Sequence, residues 1–446
     1  MSGHTRRGLS RRDFLKLAGM AVAATEVSAC SPFRLAPAAG STGNVQLVYQ
    51  DFNTSWFPGM AHDLLLEFQA QHPDVSVFYI PDPANLVEQM PIDMQAGTAA
   101  DVFQGCCTHF PDWAHKGFTL DLRAYVARDL DEATIKDWDP VQYKALFTEE
   151  GKQFGLPKYH GGLALYYNKD LFDAYGVEYP DGSWDHEDYR RAMVALTHDR
   201  DGDGQTDLWG STLDVSWDRV QVHVNGWGGH FVDPSNPLLC RMGDPQAIAA
   251  VEWLRARIWD DRVMATLPLL DRLGPADAFL EQKAAMIEDG SWSLKKILSA
   301  AQFRIGVTSF PSGPARKVTL STTDGFGIYA GTKHPDAAWE LVKFLISKDY
   351  GRAMAKAAFL QPARASVVQD WIGYVREQFP EQAGGMDLAS FAEGQMKGYS
   401  VVAEIFPNMA AAQNIAQEAW DRILTLGQAP TSILTAVSRK IQGAQE

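Results

Sequence analysis

Four aspartates come closest to a recognisable chemistry. In Asp199-Arg200-Asp201-Gly202-Asp203-Gly204-Gln205-Thr206-Asp207, carboxylates fall at positions 1, 3, 5 and 9, with glycine at position 6. Alternate side chains of a tight loop point at one centre and glycine permits the sharp turn, which is the pattern of a calcium loop. Position 12 is Gly210, where a bidentate Glu belongs. A structural calcium of modest affinity is therefore one expectation and a solvated acidic turn the other; no cofactor is required.

Other chemistries find less support. The chain has no G-x-S-x-G, no H-E-x-x-H and no P-loop. Cys106, Cys107 and Cys240 lack a Cys or His at metal-ligand spacing and read as buried small side chains; a Cys106–Cys107 disulfide would be strained. His160 also lacks metal-spaced partners and reads as a hydrogen-bonding or hinge residue. Acidic residues number 55, yet none sits in a catalytic motif. A non-enzyme is expected, with a secreted glycosidase as a rival that needs a carboxylate spacing set by the fold.

At 446 residues the chain exceeds what one core usually supports, so two lobes are expected. The net charge is −15; residues 1–29 carry a balance of +3, which leaves the remainder at −18. So acidic a chain argues against nucleic acid, whose phosphates call for clustered Lys and Arg.

Ser10-Arg11-Arg12-Asp13-Phe14-Leu15-Lys16 is a twin-arginine export signal, followed by a mild apolar stretch, Leu17 to Ala24. Val27-Ser28-Ala29-Cys30 resembles a lipoprotein cleavage box with Cys30 as the lipid-bearing residue. Residues 1–29 are then a removed signal peptide and 30–43 a flexible tether rich in Pro, Ala, Gly and Ser. The expected location is the outer face of the cytoplasmic membrane, or the periplasm, held by a lipid anchor.

The folded part must position any site. Val45 to Asp51 reads as a strand, and the polar-aromatic stretch beyond it holds Asn53 and Trp56. A second short strand ends near Phe103 and releases Gln104 to His109. Ligands of open α/β sheets bind beyond the carboxyl ends of strands, which makes Asn53, Trp56 and Gln104 candidate cleft residues. Phe154 to Phe172 joins two α/β halves: Leu163 to Tyr167 reads as a buried strand and Asn168 as the cap of the next helix. Tyr159 and His160 stand at that join.

The order of these elements, with Ala100-Asp101-Val102-Phe103, the run Asp112 to Leu122, Gly155-Leu156-Pro157, Leu165 to Phe172 and Trp339 to Leu345, resembles the extracellular solute-binding proteins of family 1. These are sugar-type receptors of ABC importers, similar to maltose-binding protein. The resemblance implies an α/β, two-lobed periplasmic-binding-protein-like fold of type II, with three hinge crossovers and a central cleft. Lobe 1 would be 44–158 and 306–361, lobe 2 159–305 and 362–446, with the Phe303 to Val307 strand returning the chain to lobe 1. It also implies that Gly226-Trp227-Gly228-Gly229 faces the cleft, that Trp217, Trp227 and above all Trp292 stack on a ligand, and that Asp324 and Gly325 approach its floor. Tyr159 and His160 would lie where both lobes meet that ligand. A sugar offers a C–H face to an aromatic ring and hydroxyls to carboxylates and amides, which suits that set.

The function implied is capture of a sugar or oligosaccharide by a monomer and delivery to an ABC permease. A phosphorylated or charged solute, such as glycerol phosphate or a polyamine, is the alternative on the same fold; for an anion, Arg219 and Arg364 are the obvious candidates.

Overall fold

A computed structural model describes residues 45–51, 57–81 and 86–445. The export signal, Cys30, the tether, Asn53 and Trp56 lie outside the described residues. Among the described residues, no helix is long and apolar enough to cross a membrane.

In the first strand, Val45–Asp51, Leu47, Tyr49 and Asp51 are buried while the residues between them are less so. This period of two puts one face on a core and carries the Asp51 carboxylate inward at the strand's carboxyl end. Five strands form the first sheet in the order Val75–Pro81, Val45–Asp51, Val102–Gly105, Gly325–Ile328, Leu156–Pro157. The first three run parallel, and Gly325–Ile328 is antiparallel to both of its neighbours. Leu47, Tyr49, Leu65, Phe68, Phe326, Trp339 and Val342 pack in one apolar cluster beside it.

The second sheet centres on Leu163–Asn168, every residue of which is buried. Met286–Gly290 and Ile305–Ser309 flank it, both antiparallel. Asn168 accepts hydrogen bonds from the backbone N–H groups of Asp170 and Leu171 and caps the helix Lys169–Tyr175, which ends at Gly176 in a left-handed conformation (φ 66°). The expected buried strand and cap are thus both present. Two further clusters, one holding Phe172, Trp217, Phe231 and Trp420 and the other Tyr166, Phe303, Trp371 and Phe391, form this lobe's interior.

One boundary is corrected. Ile305–Ser309 pairs with Leu163–Asn168 through Ser309↔Ala164, so the chain is still in the second sheet where a return to the first lobe was expected at 306. Gly306 makes this possible: a Cβ there would meet the Tyr167 ring at 1.9 Å. The return comes at Ser321 to Asp324, where Thr322 N–H donates to the Gly161 carbonyl (3.3 Å) and Lys158 N–H to the Asp324 carbonyl (3.0 Å). The third crossing lies alongside: Tyr159 bridges Pro362, and His160 N–H donates to the Gln361 carbonyl at 2.9 Å. The Gln142 side-chain amide donates to the carbonyls of Tyr159 (2.8 Å) and Thr322 (2.7 Å), tying two crossings together.

Candidate functional site

Four elements of the first sheet deliver polar side chains to one edge. Asp51 ends its strand, Gln104 lies near the end of Val102–Gly105, Lys158 follows Leu156–Pro157, and Asp324 precedes the antiparallel Gly325–Ile328. Lys158 Nζ lies 2.5 Å from Asp51 Oδ1 and also donates to Gln104 Oε1. The other end of that amide, Gln104 Nε2, donates to Asp324 Oδ1 at 2.9 Å. Asp51, Gln104, Lys158 and Asp324 are all buried. Burial pushes the Asp324 carboxyl up, against Thr322, Lys158, Gln104 and Tyr159. Burial likewise pulls the Lys158 ammonium down, opposed by Asp51. Burial and then Asp324 raise the Tyr159 phenol far above its usual value, so Tyr159 stands at the floor as a neutral hydroxyl.

The opposing wall comes from the second lobe. Met286–Gly290 runs into a turn bearing Trp292, whose ring lies against Gly290 and Gly161: a Cβ would approach it to 2.1 Å at the first and 3.0 Å at the second. Glycine is needed at both places because the ring occupies the side-chain space. The Arg219 guanidinium, from the helix Trp217–Gly226, sits 5.2 Å from the Trp292 ring centroid and 3.7 Å from Asp289 Oδ1. Asp289 also accepts from the Gly290 N–H (2.8 Å) and the Ser293 hydroxyl (2.6 Å). Burial raises the nearby Asp214 carboxyl, with Arg219 opposing it. The lobes meet directly where Gln413 Nε2 donates to Thr108 Oγ1 at 3.1 Å.

The candidates named from sequence thus separate. Gln104, Tyr159 and Asp324 share the floor and Trp292 stands on the wall. His160 keeps its hydrogen-bonding, hinge reading and loses the ligand contact: fully buried, it holds Asp139 Oδ2 through Nε2 (3.1 Å) and Gln361 Nε2 through Nδ1 (3.1 Å), which leaves no face for a ligand. Trp217 is corrected as well: its indole N–H donates to the Glu404 carbonyl (2.9 Å), and its ring packs on Phe231 and Phe406 inside the second lobe. Trp227, at the far end of the same helix, packs edge-on against His186 (4.5 Å between centroids) and beside Trp253. Gly325 serves the sheet, because a Cβ there would come within 2.8 Å of the Leu156 carbonyl oxygen. Arg364 lies 4.4 Å from the Trp138 ring centroid and donates to the Thr134 carbonyl, both on the first lobe.

Sequence reasoning missed Asp51, Lys158 and Asp289. The signal for Asp51 was present, an acidic residue in phase with the buried positions of its strand. Lys158 carried none, since a lysine after a Leu-Pro turn reads as solvated.

In the acidic loop, carboxylate oxygens of Asp199, Asp201 and Asp207 lie within 4.8 Å of one another, all exposed. Asp199 accepts from the N–H groups of Gly202 (2.7 Å) and Gly204 (2.8 Å), and Asp207 from that of Arg200 (2.7 Å). Asp203 is outside this group and turns to the backbone (2.7 Å) and side chain (3.1 Å) of Gln205. Asp201 accepts from the Asp203 N–H (3.1 Å), so three of the four expected ligands converge and the loop's own amides already engage all three.

The family model for bacterial extracellular solute-binding proteins matches residues 53–352. A galactooligosaccharide-binding protein of Bacillus subtilis is 23% identical over 361 residues, 78% of this chain and 80% of that one. An ABC substrate-binding protein from Listeria monocytogenes, solved in complex with cycloalternan, superposes with a TM-score of 0.78 at 21% identity, covering 90% of this chain and 98% of the other. UgpB from Mycobacterium tuberculosis, solved with glycerophosphocholine, gives a TM-score of 0.72 at 18% identity over 88% and 97% of the two chains. The two-lobed fold is that of these binding proteins. With the family model spanning well over half of its length, the chain belongs to the bacterial extracellular solute-binding proteins.

Proposed function

We propose that this chain captures a neutral sugar or oligosaccharide between its lobes and hands it to the permease of an ABC importer. The observation that carries the reading is the pairing of the Trp292 ring with a floor and wall of carboxylates, Asp324, Asp51 and Asp289, in which both nearby cations are already engaged: Lys158 with Asp51 and Gln104, Arg219 with Trp292 and Asp289. A sugar hydroxyl both donates and accepts, so it bonds to such groups without adding charge. A phosphoryl group needs uncommitted donors of positive charge and would meet excess carboxylates instead. The carbohydrates bound by similar proteins point the same way. Binding closes the lobes about the three crossings, shifting the population toward the form a permease recognises, and no bond is made or broken.

A thermal-shift and calorimetric screen of maltotriose, galactooligosaccharides, cycloalternan, glycerophosphocholine, glycerol phosphate and polyamines tests this reading. Ligand at a hundredfold its Kd adds about 2.7 kcal/mol of stability. A response to the phosphate esters alone would overturn the neutral-sugar assignment.

The proposal extends to location. The twin-arginine motif at residues 10–16 and Cys30 support export and lipid anchoring of a monomer, with residues 31–43 as the tether. Detergent partition of wild type and Cys30→Ala checks it; equal partition of the two into the aqueous phase would remove the anchor.

A further inference from the structure

The turn that leaves Val102–Gly105 carries two residues that solute capture does not use. Cys106 is buried and Cys107 half-buried; both are free thiols, and their sulfurs are 3.0 Å apart. Cys107 has φ 55°, a left-handed backbone uncommon outside glycine. The turn is not a surface loop at liberty to relax. The Cys107 carbonyl accepts from the Thr323 hydroxyl at 2.8 Å, on the segment that crosses back into the first lobe. Thr108, next in the chain, bonds across the cleft to Gln413 of the helix Met409–Trp420. Three consecutive residues thus bear two thiols, a contact to a crossing and a contact to the opposite lobe.

We propose that Cys106 and Cys107 form a reversible vicinal disulfide, and that this modification changes how the Cys106–Thr108 turn grips the second lobe. The oxidant is a low-molecular-weight disulfide, RSSR. The more exposed Cys107 gives up its proton and attacks one sulfur of RSSR, forming a mixed disulfide and expelling one RS⁻. Cys106 then gives up its proton and attacks the Cys107 sulfur, expelling the second RS⁻. The protein loses two hydrogens and two electrons, and the reagent leaves as two RSH. The hydrogen bond to Cys107, then burial, and more weakly the charges of Asp324 and of Asp218 across the cleft raise the Cys106 thiol well above its usual range, which makes it the resolving partner.

Reversibility follows from covalent geometry. Neighbouring Cα atoms across a trans peptide are about 3.8 Å apart, shorter than the roughly 4.4–6.8 Å of ordinary disulfides, and a strained bridge is readily reduced. Ring closure must turn the peptide between the two cysteines and shift the Cys107 carbonyl against Thr323. The displacement passes directly to Thr108 and its partner Gln413. Cys240, buried in the second lobe's core cluster, supplies an internal control.

The full-length protein is equilibrated in glutathione buffers of graded redox ratio, quenched with acid, alkylated and peptide-mapped. The peptide holding both cysteines is expected to lose two hydrogens as a single internal bond and to regain them with dithiothreitol, while Cys240 stays alkylatable. Hydrogen exchange of oxidised against reduced protein is expected to change both in 105–110 and in 409–415. Alkylation of the pair at every ratio, a pair of stable glutathione adducts, or an exchange change confined to 105–110 would each overturn the proposal. Cys107→Ser must abolish the bridge; if that variant misfolds, the wild-type titration still decides. Maltotriose melting shifts on both forms report separately on the solute: no shift in either counts against maltotriose as ligand and leaves the redox result standing.

Discussion

Gln104 and Asp324 stand 220 residues apart in sequence and share a 2.9 Å hydrogen bond in the buried floor of the cleft. Gln104 is oriented by its other end, where Oε1 accepts from Lys158, and Lys158 in turn pairs with Asp51. Four chain segments that meet only in the fold thus hold one another's polar atoms in place, and the amide's two ends leave Gln104 no alternative orientation.

Removing the cation should cost the most. Lys158→Met leaves Asp51 and Asp324 buried without their counter-charge, and breaking such a pair typically costs about 3–5 kcal/mol. Urea unfolding at pH 7 should show a loss of that order; a loss below about 1 kcal/mol would mean that water reaches the floor and screens the charges.

The three tryptophans should divide by role. Trp292→Ala is expected to weaken binding of the sugar found in the screen by tenfold or more in calorimetry, since the ring's stacking face is lost. Trp217→Ala should instead lower stability by about 3–5 kcal/mol, as for a large ring removed from a core, and leave affinity nearly unchanged in whatever protein remains folded. Trp227→Ala, half-buried over His186, should behave like Trp217→Ala with a smaller loss. Equal effects of all three on affinity would contradict the placement of Trp217 in the interior.

Acid should loosen the second lobe through His186. This ring bonds to the Ser312 carbonyl (2.8 Å) and to His223 (3.1 Å), which reaches Glu288 at 3.0 Å. Trp227 and Trp253 close over it. Burial first, and then His223, lower its pKa from 6.5 to about 4, while Glu288 and Asp185 act in the opposite sense. A depressed folded value means that the unfolded chain takes up the proton first. Stability from this group is therefore complete above about pH 6.5 and declines as pH falls toward 4, by a total on the order of 3 kcal/mol. Melting curves of wild type and His186→Gln across that window should converge toward acid; parallel curves would remove His186 as the cause.

Calcium should bind the acidic loop weakly or not at all. Three exposed carboxylates converge, Asp203 turns away and position 12 is glycine, so a Kd no tighter than about 10⁻⁴ M is expected. Calorimetric titration checks this, with Asp199→Asn as the control that should abolish any heat. Micromolar binding would require a ligand from outside the loop.

Much of this architecture is local in origin. The continuous apolar run Leu163 to Tyr167 and the Asn168 side chain are enough to specify a buried strand and a capped helix, because burial on both faces and a satisfied first turn depend on near neighbours. Asp51 alternates in phase with Leu47 and Tyr49, so its inward direction was written in the same period of two. The twin glycines Gly161 and Gly162 mark the join between lobes, and the structure adds that Gly161 yields its side-chain space to Thr322 and Trp292.

The choice among like residues was not local. Trp217, Trp227 and Trp292 each stand near a helix end beside acidic or glycine residues, and nothing in those neighbourhoods says which ring meets solvent. Packing decided it: Phe231 and Phe406 enclose Trp217, His186 and Trp253 cover Trp227, and Trp292 lies between the glycines of a strand end and a crossing. His160 became a hinge pin and Lys158 a buried cation only because Asp139, Gln361, Asp51 and Gln104 arrive from distant segments. A secondary-structure pattern depends on the next few residues, whereas the environment of a charge or a ring depends on whichever segments the whole chain folds against it.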